Sequence, residues 1–257
     1  MRVSPKKSLG QHFLVDENIL GVIGRLAALD AADVALEVGP GLGVLTRYLS
    51  DRVAHVHAVE LDVSLEGPLR EQLGSRNNVD LVFGDALAFD LAHLDPWPTK
   101  LVSNLPYNIA TPLLVESLEG IPSLDRWCVM VQREVADRFF ATPRTKAYGA
   151  VSVLVQLKTR KVGFHPVPPT VFRPRPRVDS ALVAFERVDG PSLERIRPVV
   201  DAAFSHRRKT LANSLALSGL APRAVTEAAL AEIGMPSATR AEELRPEELV
   251  ALAEALG

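Results

Sequence analysis

With 257 residues, 47% of them apolar, and a formal net charge of −2, the chain can bury one sizeable core and still hold a small second domain, as a soluble globular protein. The polar stretch from Met1 to Phe13, which carries Lys6 and Lys7, has no apolar run long enough for a signal peptide or a membrane span and points to the cytoplasm. The single cysteine, Cys128 in WCVMV, excludes an internal disulfide and reads as a buried strand residue.

Along the first half, β-branched runs alternate with helix-like stretches, the pattern of a doubly wound, Rossmann-like α/β sheet. The predicted strands are VALEV at 34–38, VHAVE at 56–60, DLVFG at 80–84, KLVSN at 100–104 and WCVMVQ at 127–132. The proline-rich HPVPPTVFRPRPRV cannot be helix, and SALVAF at 180–185 reads as a further strand near an edge of the sheet. From Ser192 the pattern turns to helices punctuated by Gly219, Pro222, Gly234 and Pro236, which places a small helical domain at 191–257 after a first domain at 1–190.

The segment Glu37-Val38-Gly39-Pro40-Gly41-Leu42-Gly43 follows the first long strand and leads into a helix, so its glycines let the backbone turn sharply and approach a ligand. Such a loop alone fits a dinucleotide site equally well. Glu60, ending the second strand, suits the two ribose hydroxyls of either cofactor. Asp85, in a Gly-Asp-Ala turn, adds a polar partner for an adenine amine, and Glu37 organises the loop facing an amino-acid moiety. The four elements together indicate S-adenosyl-L-methionine.

After the fourth of these strands comes Asn104-Leu105-Pro106-Tyr107, at the carboxyl end of the sheet, where doubly wound folds bind ligands. An adenine amine is a poor nucleophile because its lone pair is delocalised into the ring. The side-chain oxygen of Asn104 and the carbonyl of Leu105 can both accept from it and favour a tetrahedral nitrogen. Tyr107 can stack on a base drawn out of its own stack, and catalysis then rests on positioning and polarisation rather than on a strong base. Phe172, held between prolines in a basic stretch, is a second stacking candidate. Between Asp137 and Asp179 there is no acidic residue but nine Lys or Arg, among them Arg173 and Arg175, whereas acids gather from Glu242 to Glu254. That asymmetry suits a polyanion. The six histidines are scattered, none pairing with cysteine or carboxylate at ligand spacing, so a metal enzyme is not expected.

With these residues in view, the chain resembles the ribosomal RNA adenine dimethyltransferases, a family that includes the bacterial small-subunit enzyme and the erythromycin-resistance methyltransferases. The likeness runs through KKSLGQHFL at 6–14, EVGPGLGVLT at 37–46, VELD at 59–62, GDAL at 84–87, NLPYNIATPLL at 104–114, VPPTVFRPRPRVDSALV at 167–183 and FSHRRKTLANSL at 204–215. It implies a class I methyltransferase fold in which His12, Leu14, Gly39, Glu60, Asp85 and Asn104 contact S-adenosylmethionine, while Asn104, Tyr107 and Phe172 hold a flipped adenine. His12 stands where many members carry asparagine. The last two motifs resemble the small-subunit branch, which implies dimethylation of two adjacent adenosines in a hairpin loop near the 3′ end of small-subunit RNA, within a pre-30S particle; the chain itself is expected to be a monomer. Arg207, Arg208 and Lys209, at the start of the helical domain, would meet phosphates. Rival readings are a large-subunit resistance methyltransferase and an assembly factor whose binding outweighs its methylation. A DNA adenine enzyme is disfavoured by Leu105 in place of a first proline.

Overall fold

The computed structural model describes residues 5–6 and 10–257; Met1 to Ser4 and Lys7, Ser8 and Leu9 of the first motif lie outside the described residues. The chain divides into two compact units, one comprising residues up to 136 together with 160–187, the other 137–159 together with 188–257. The sequence division at 190 differs from this chiefly in that 137–159 groups with the C-terminal helices, and by three residues at the later boundary. The reason is packing at long sequence separation, since the Tyr148 hydroxyl donates to Leu244 O at 2.8 Å and the helix Ala150–Lys158 lies against Leu193–Ser205 and Pro246–Leu256.

In the first unit, β1 (Phe13–Leu14) and α1 (Asn18–Ala27) precede β2 (Val34–Val38), α2 (Val44–Ser50), β3 (His55–Glu60), α3 (Glu66–Leu73), β4 (Val79–Phe83) and β5 (Lys100–Asn104). Next come α4 (Ala110–Gly120), β6 (Arg126–Gln132), β7 (Thr159–Val167), β8 (Phe172–Arg173) and β9 (Ser180–Arg187). The main sheet has the order β4-β3-β2-β5-β6-β9-β7. Its first five strands are parallel, and β9 runs antiparallel to β6. β2 and β6 are almost continuously apolar and buried, as strands covered on both faces must be. The register pairs Val38 with Val59, Glu60 with Phe83 and Asn104 with Met130, so the carboxyl ends of β2, β3, β4 and β5 reach one rim of the sheet.

β9 is one strand in from the edge, because β7, which the sequence does not announce, takes the edge position. TRKVGFHPV carries Arg160, Lys161 and Pro166, residues that an edge strand tolerates and a central one does not. The proline-rich stretch contains no α-helix, only a 3-10 turn at Pro169–Val171, and then β8, which pairs antiparallel with β1 in a two-stranded ribbon. Cys128 is buried on β6, and burial pushes its thiol up to about 12, far from a reactive thiolate.

The second unit holds α6 (Ala150–Lys158), α7 (Leu193–Ser205), α8 (Leu211–Leu217), α9 (Arg223–Glu232) and α10 (Pro246–Leu256), while α5 (Arg133–Phe139) spans the division. The Ser192 hydroxyl accepts from Glu194 N and caps α7. Gly219 and Gly234, each at φ +75°, end α8 and α9 with returning bonds from Leu220 N to Leu215 O and from Met235 N to Leu230 O. Among the described residues no helix is long and apolar enough to cross a membrane.

Candidate active site

A cavity of about 200 Å³ opens at the carboxyl rim of the sheet, wholly within the first unit. Of the residues singled out in the sequence, His12, Gly39, Gly41, Glu60, Asp85, Asn104, Leu105 and Tyr107 line it. A second recess of about 30 Å³ shares His12, Gly39, Gly41 and Asn104 with it and adds Leu14 and Glu37.

The loop after β2 comes close to other groups for a definite reason. Gly39 and Gly41 have φ of +77° and +60°, a region that side-chain-bearing residues rarely adopt. A Cβ on Gly39 would lie 3.1 Å from Pro106, and one on Gly41 2.9 Å from Phe13. The Gly39 N–H donates to Val59 O at 2.8 Å, and that of Gly41 to Glu60 Oε2 at 3.1 Å, so the end of β3 shapes the loop.

Glu60 is buried and its carboxylate is anchored at both oxygens, Oε1 accepting from Asp62 N at 2.9 Å and Oε2 from Gly41 N. Burial raises its pKa, and the backbone N–H groups of Asp62, Gly41 and Leu61 oppose that rise. A carboxylate offers about four acceptor sites, so acceptor capacity remains for a hydroxyl. Glu37 is 1% exposed, and its Oε2 has no hydrogen-bond partner among the described residues. Burial pushes its carboxyl up to about 8, the Thr46 hydroxyl working against the rise and the Glu60 charge adding to it. A buried carboxylate oxygen without a partner among the described residues, beside a glycine cradle and a second, anchored carboxylate, fits S-adenosylmethionine, whose ammonium end Glu37 would face and whose ribose Glu60 would hold. Asp85 is exposed on the turn after β4, its Oδ1 accepting from Leu87 N at 2.9 Å.

Asn104 ends β5. Its Nδ2 donates to His12 O at 3.1 Å; a carbonyl can only accept, so the amide is fixed with Oδ1 as the remaining acceptor. The Leu105 N–H donates to Met130 O, which sets the backbone that carries the Leu105 carbonyl. The Tyr107 hydroxyl lies 2.8 Å from Ser180 Oγ, and its ring is 5.6 Å from that of His12 at 31°. His12 lines the cavity, and its Nδ1 donates to Pro174 O at 2.7 Å, which fixes the ring beside Tyr107.

Three residues of the site lie within the motifs quoted above without being singled out there as site residues. Asp62 accepts from Lys6 Nζ at 2.6 Å, Gln11 Nε2 at 2.9 Å and Ser64, tying the start of the chain beside Glu60. Burial alone would raise its pKa, but these donors outweigh burial and hold the carboxyl well below the usual range. Gln11 lines the cavity, and Ser180 positions Tyr107. The acid ending VELD and the serine in RVDSALV are the signals that could have found two of them.

Phe172 departs from expectation. It is not a loop residue presented to a base: on β8 it pairs with Leu14 of β1, and its ring is fully buried in the core cluster that holds Leu14. Strand alternation sends Phe172 inward and the adjoining Arg173 outward; Arg173 and Arg175 are both exposed. In the second unit, Arg207, Arg208 and Lys209 occupy the exposed turn between α7 and α8, one helix in from the predicted start of the helical domain. Arg207 is used internally, donating to Tyr148 O at 2.8 Å and Lys146 O at 3.3 Å and lying 3.7 Å from Glu242. Arg160, in the acid-free block, is paired with Glu186 of β9.

Residues 2–257 match the family described as ribosomal RNA adenine dimethylase. A protein of Rubrobacter xylanophilus, named ribosomal RNA small subunit methyltransferase A, is 50% identical over 96% of this chain and 94% of its own. One of Lactiplantibacillus plantarum with the same name is 43% identical over 98% and 90%. Among solved structures, the 23S rRNA methyltransferase ErmE is 31% identical with a TM-score of 0.67 over 95% of this chain and 99% of its own. A dimethyladenosine transferase of Plasmodium falciparum superposes with a TM-score of 0.78 over 94% and 96% of the two chains, at 23% identity, which supports the fold. A match that runs through the cavity-lining motifs and on through the helical unit places this chain in the ribosomal RNA adenine dimethylase family.

Proposed function

We propose that the protein methylates the exocyclic amine of adenine in small-subunit ribosomal RNA, twice on each of two adjacent adenosines in a hairpin loop near the 3′ end, using S-adenosyl-L-methionine. The observation that carries this reading is the locked Asn104 amide at the edge of the cavity, with His12 O holding Nδ2 and Oδ1 left to accept. The bound cofactor supplies an electrophilic methyl group on a sulfonium. Everything else is done by the chain. Asn104 Oδ1 and the Leu105 carbonyl accept the two amine hydrogens, pulling the nitrogen lone pair out of the purine plane. Tyr107, steadied by Ser180, stacks on the extruded base beside the His12 ring. No side chain is needed to remove a proton before attack, because the product nitrogen sheds it to solvent afterwards. A monomethylated amine retains one hydrogen and can bind again, so dimethylation follows from the same acceptors.

Phe172 acts in this scheme as core beneath β1, and stacking falls to Tyr107. Arg208, Lys209, Arg173 and Arg175 are the exposed cations assigned to phosphates. In this reading the protein acts as a monomer on the immature small subunit. Relatives named for the small subunit reach 50% identity against 31% for the 23S enzyme, which favours the small-subunit substrate. Incubation with labelled cofactor and unmethylated small subunits, followed by nucleotide mapping, tests the reading. Label as dimethyladenosine at two adjacent loop positions is expected; label at other positions only, or none, overturns it.

A further inference from the structure

The sheet assembles what the linear spacing of the histidines does not. His55 and His57 are two residues apart and so share one face of β3, while Asp80 of β4 is the parallel partner of His57. His55 Nε2 lies 2.9 Å from Asp80 Oδ2, His57 Nδ1 lies 3.5 Å from the same oxygen, and one ligand atom from each residue falls within 4.8 Å of the others.

His57 is the informative member. It is 1% exposed, and its Nε2 is 2.7 Å from Pro96 O, which can only accept; Nε2 therefore carries the hydrogen. With the Nε2 hydrogen committed to Pro96 O, the imidazole in this tautomer presents a bare lone pair at Nδ1. That atom is buried without a hydrogen-bond partner among the described residues and faces a carboxylate oxygen. Two acceptors facing each other with no hydrogen between them is an unfavourable arrangement that a cation would reverse.

We propose that His55, His57 and Asp80 form a binding site for a divalent transition metal of the zinc class, clipping β3 to β4. Tetrahedral zinc, with ligand bonds of about 2.0–2.1 Å, sets its ligand atoms roughly 3.3–3.5 Å apart. His57 Nδ1 and Asp80 Oδ2 already stand at that spacing. His55 and Asp80 have to part by about half an ångström, which the 55% exposed Asp80 side chain permits. The bond from His57 Nε2 to Pro96 O is the outer-shell contact that fixes the tautomer in which Nδ1 ligates. Two imidazoles and one carboxylate select zinc, nickel or copper over magnesium or calcium, and solvent completes the set. His57 precedes Glu60 by three strand positions, roughly 10 Å, and none of the three ligands lines the methyl-transfer cavity. The site therefore tunes the stability of the sheet rather than the chemistry.

The test uses the tag-free full-length protein, stripped with a chelator and titrated with zinc chloride by calorimetry and with cobalt(II) by visible absorption. One equivalent should bind, with a tetrahedral cobalt spectrum and a rise in Tm. His55→Ala and Asp80→Asn, whose side chains reach the surface, should each weaken zinc binding about 10-fold or more while leaving cofactor affinity unchanged. His57→Ala is the stricter variant, and the two surface variants carry the test if it does not fold. Zinc affinity of the wild type equal to that of the His55→Ala/Asp80→Asn double variant, or an octahedral cobalt spectrum alone, overturns the assignment.

Discussion

At the amino ends of β2 and β5, Lys100 and Asp33 are buried together and satisfy each other: Lys100 Nζ lies 2.7 Å from Asp33 Oδ2 and also donates to Ala28 O, while Asp33 accepts from Asp30 N and Thr99 Oγ1. At the carboxyl ends of the same strands, Glu37 and Asn104 are each left with an oxygen beside an open recess, in Glu37 a buried one without a partner. Both ends bury polar groups beside apolar strands, yet only one end completes their bonding internally. Burying a polar atom without a partner costs free energy, so it persists where a ligand supplies the missing partner. The closed end is scaffold and the open end is site.

Asn104→Ala breaks the open end directly. Methyl transfer should fall at least about 100-fold, because the acceptor that polarises the amine is gone. RNA affinity should change less than about 3-fold, since phosphate contacts dominate it. Parallel transfer and binding assays decide the matter, and a fully active variant would remove Asn104 from the mechanism. Lys100→Ala breaks the closed end instead. Removing one partner of a buried pair leaves Asp33 uncompensated and should cost about 3 kcal/mol of stability. Transfer per folded molecule should stay near wild type, and denaturant titration beside activity reads the difference; a loss of activity without a loss of stability would contradict the division.

The open end is largely legible in the sequence, because its groups sit at or just after the ends of readable strands: Gly39, Glu60, Asp85 and Asn104 all reach the cavity. What the sequence hides is set by pairing between distant segments. The Lys100–Asp33 pair, the meeting of His55 and His57 with Asp80, and the hold of Asp62 on Lys6 depend on which strands become neighbours, which local pattern does not state. β7 is hidden because an edge strand need not alternate. Phe172 misleads because a two-residue strand is enough to set which way its ring points, and such a ribbon has no sequence period to detect.

The same contrast divides the basic turn of the helical unit. Arg207 is spent on Lys146 O, Tyr148 O and Glu242, whereas Arg208 and Lys209 are exposed. Arg208→Ala/Lys209→Ala should weaken RNA binding about 10-fold and reduce the slope of log affinity against log salt by roughly 2, one for each phosphate no longer neutralised. Arg207→Ala should instead lower Tm and leave the salt slope nearly intact. An unchanged slope in the double variant would move phosphate binding to Arg173 and Arg175.

The smallest expected effect is the exchange of about one proton or less, and it probes the open end most directly. Glu37 has an ordinary carboxyl pKa of 4.5 and is pushed up to about 8 in the fold. Between those values the folded chain holds a proton that the unfolded chain has released. The stability this protonation contributes is therefore fully present below about pH 4.5 and is lost as the pH rises through about 8. A cofactor ammonium placed near Oε2 reverses the preference and favours the carboxylate, so binding near pH 7 should expel up to about one proton. Calorimetry in two buffers of different ionisation enthalpy measures that release as a difference in the observed heat of binding. Glu37→Gln has no proton to lose: its binding heat should not depend on buffer, its cofactor affinity should be lower, and its stability should lose the wild-type slope between pH 4.5 and 8. A buffer-independent heat in the wild-type protein would place the ammonium elsewhere and leave the orphaned oxygen of Glu37 without a ligand partner.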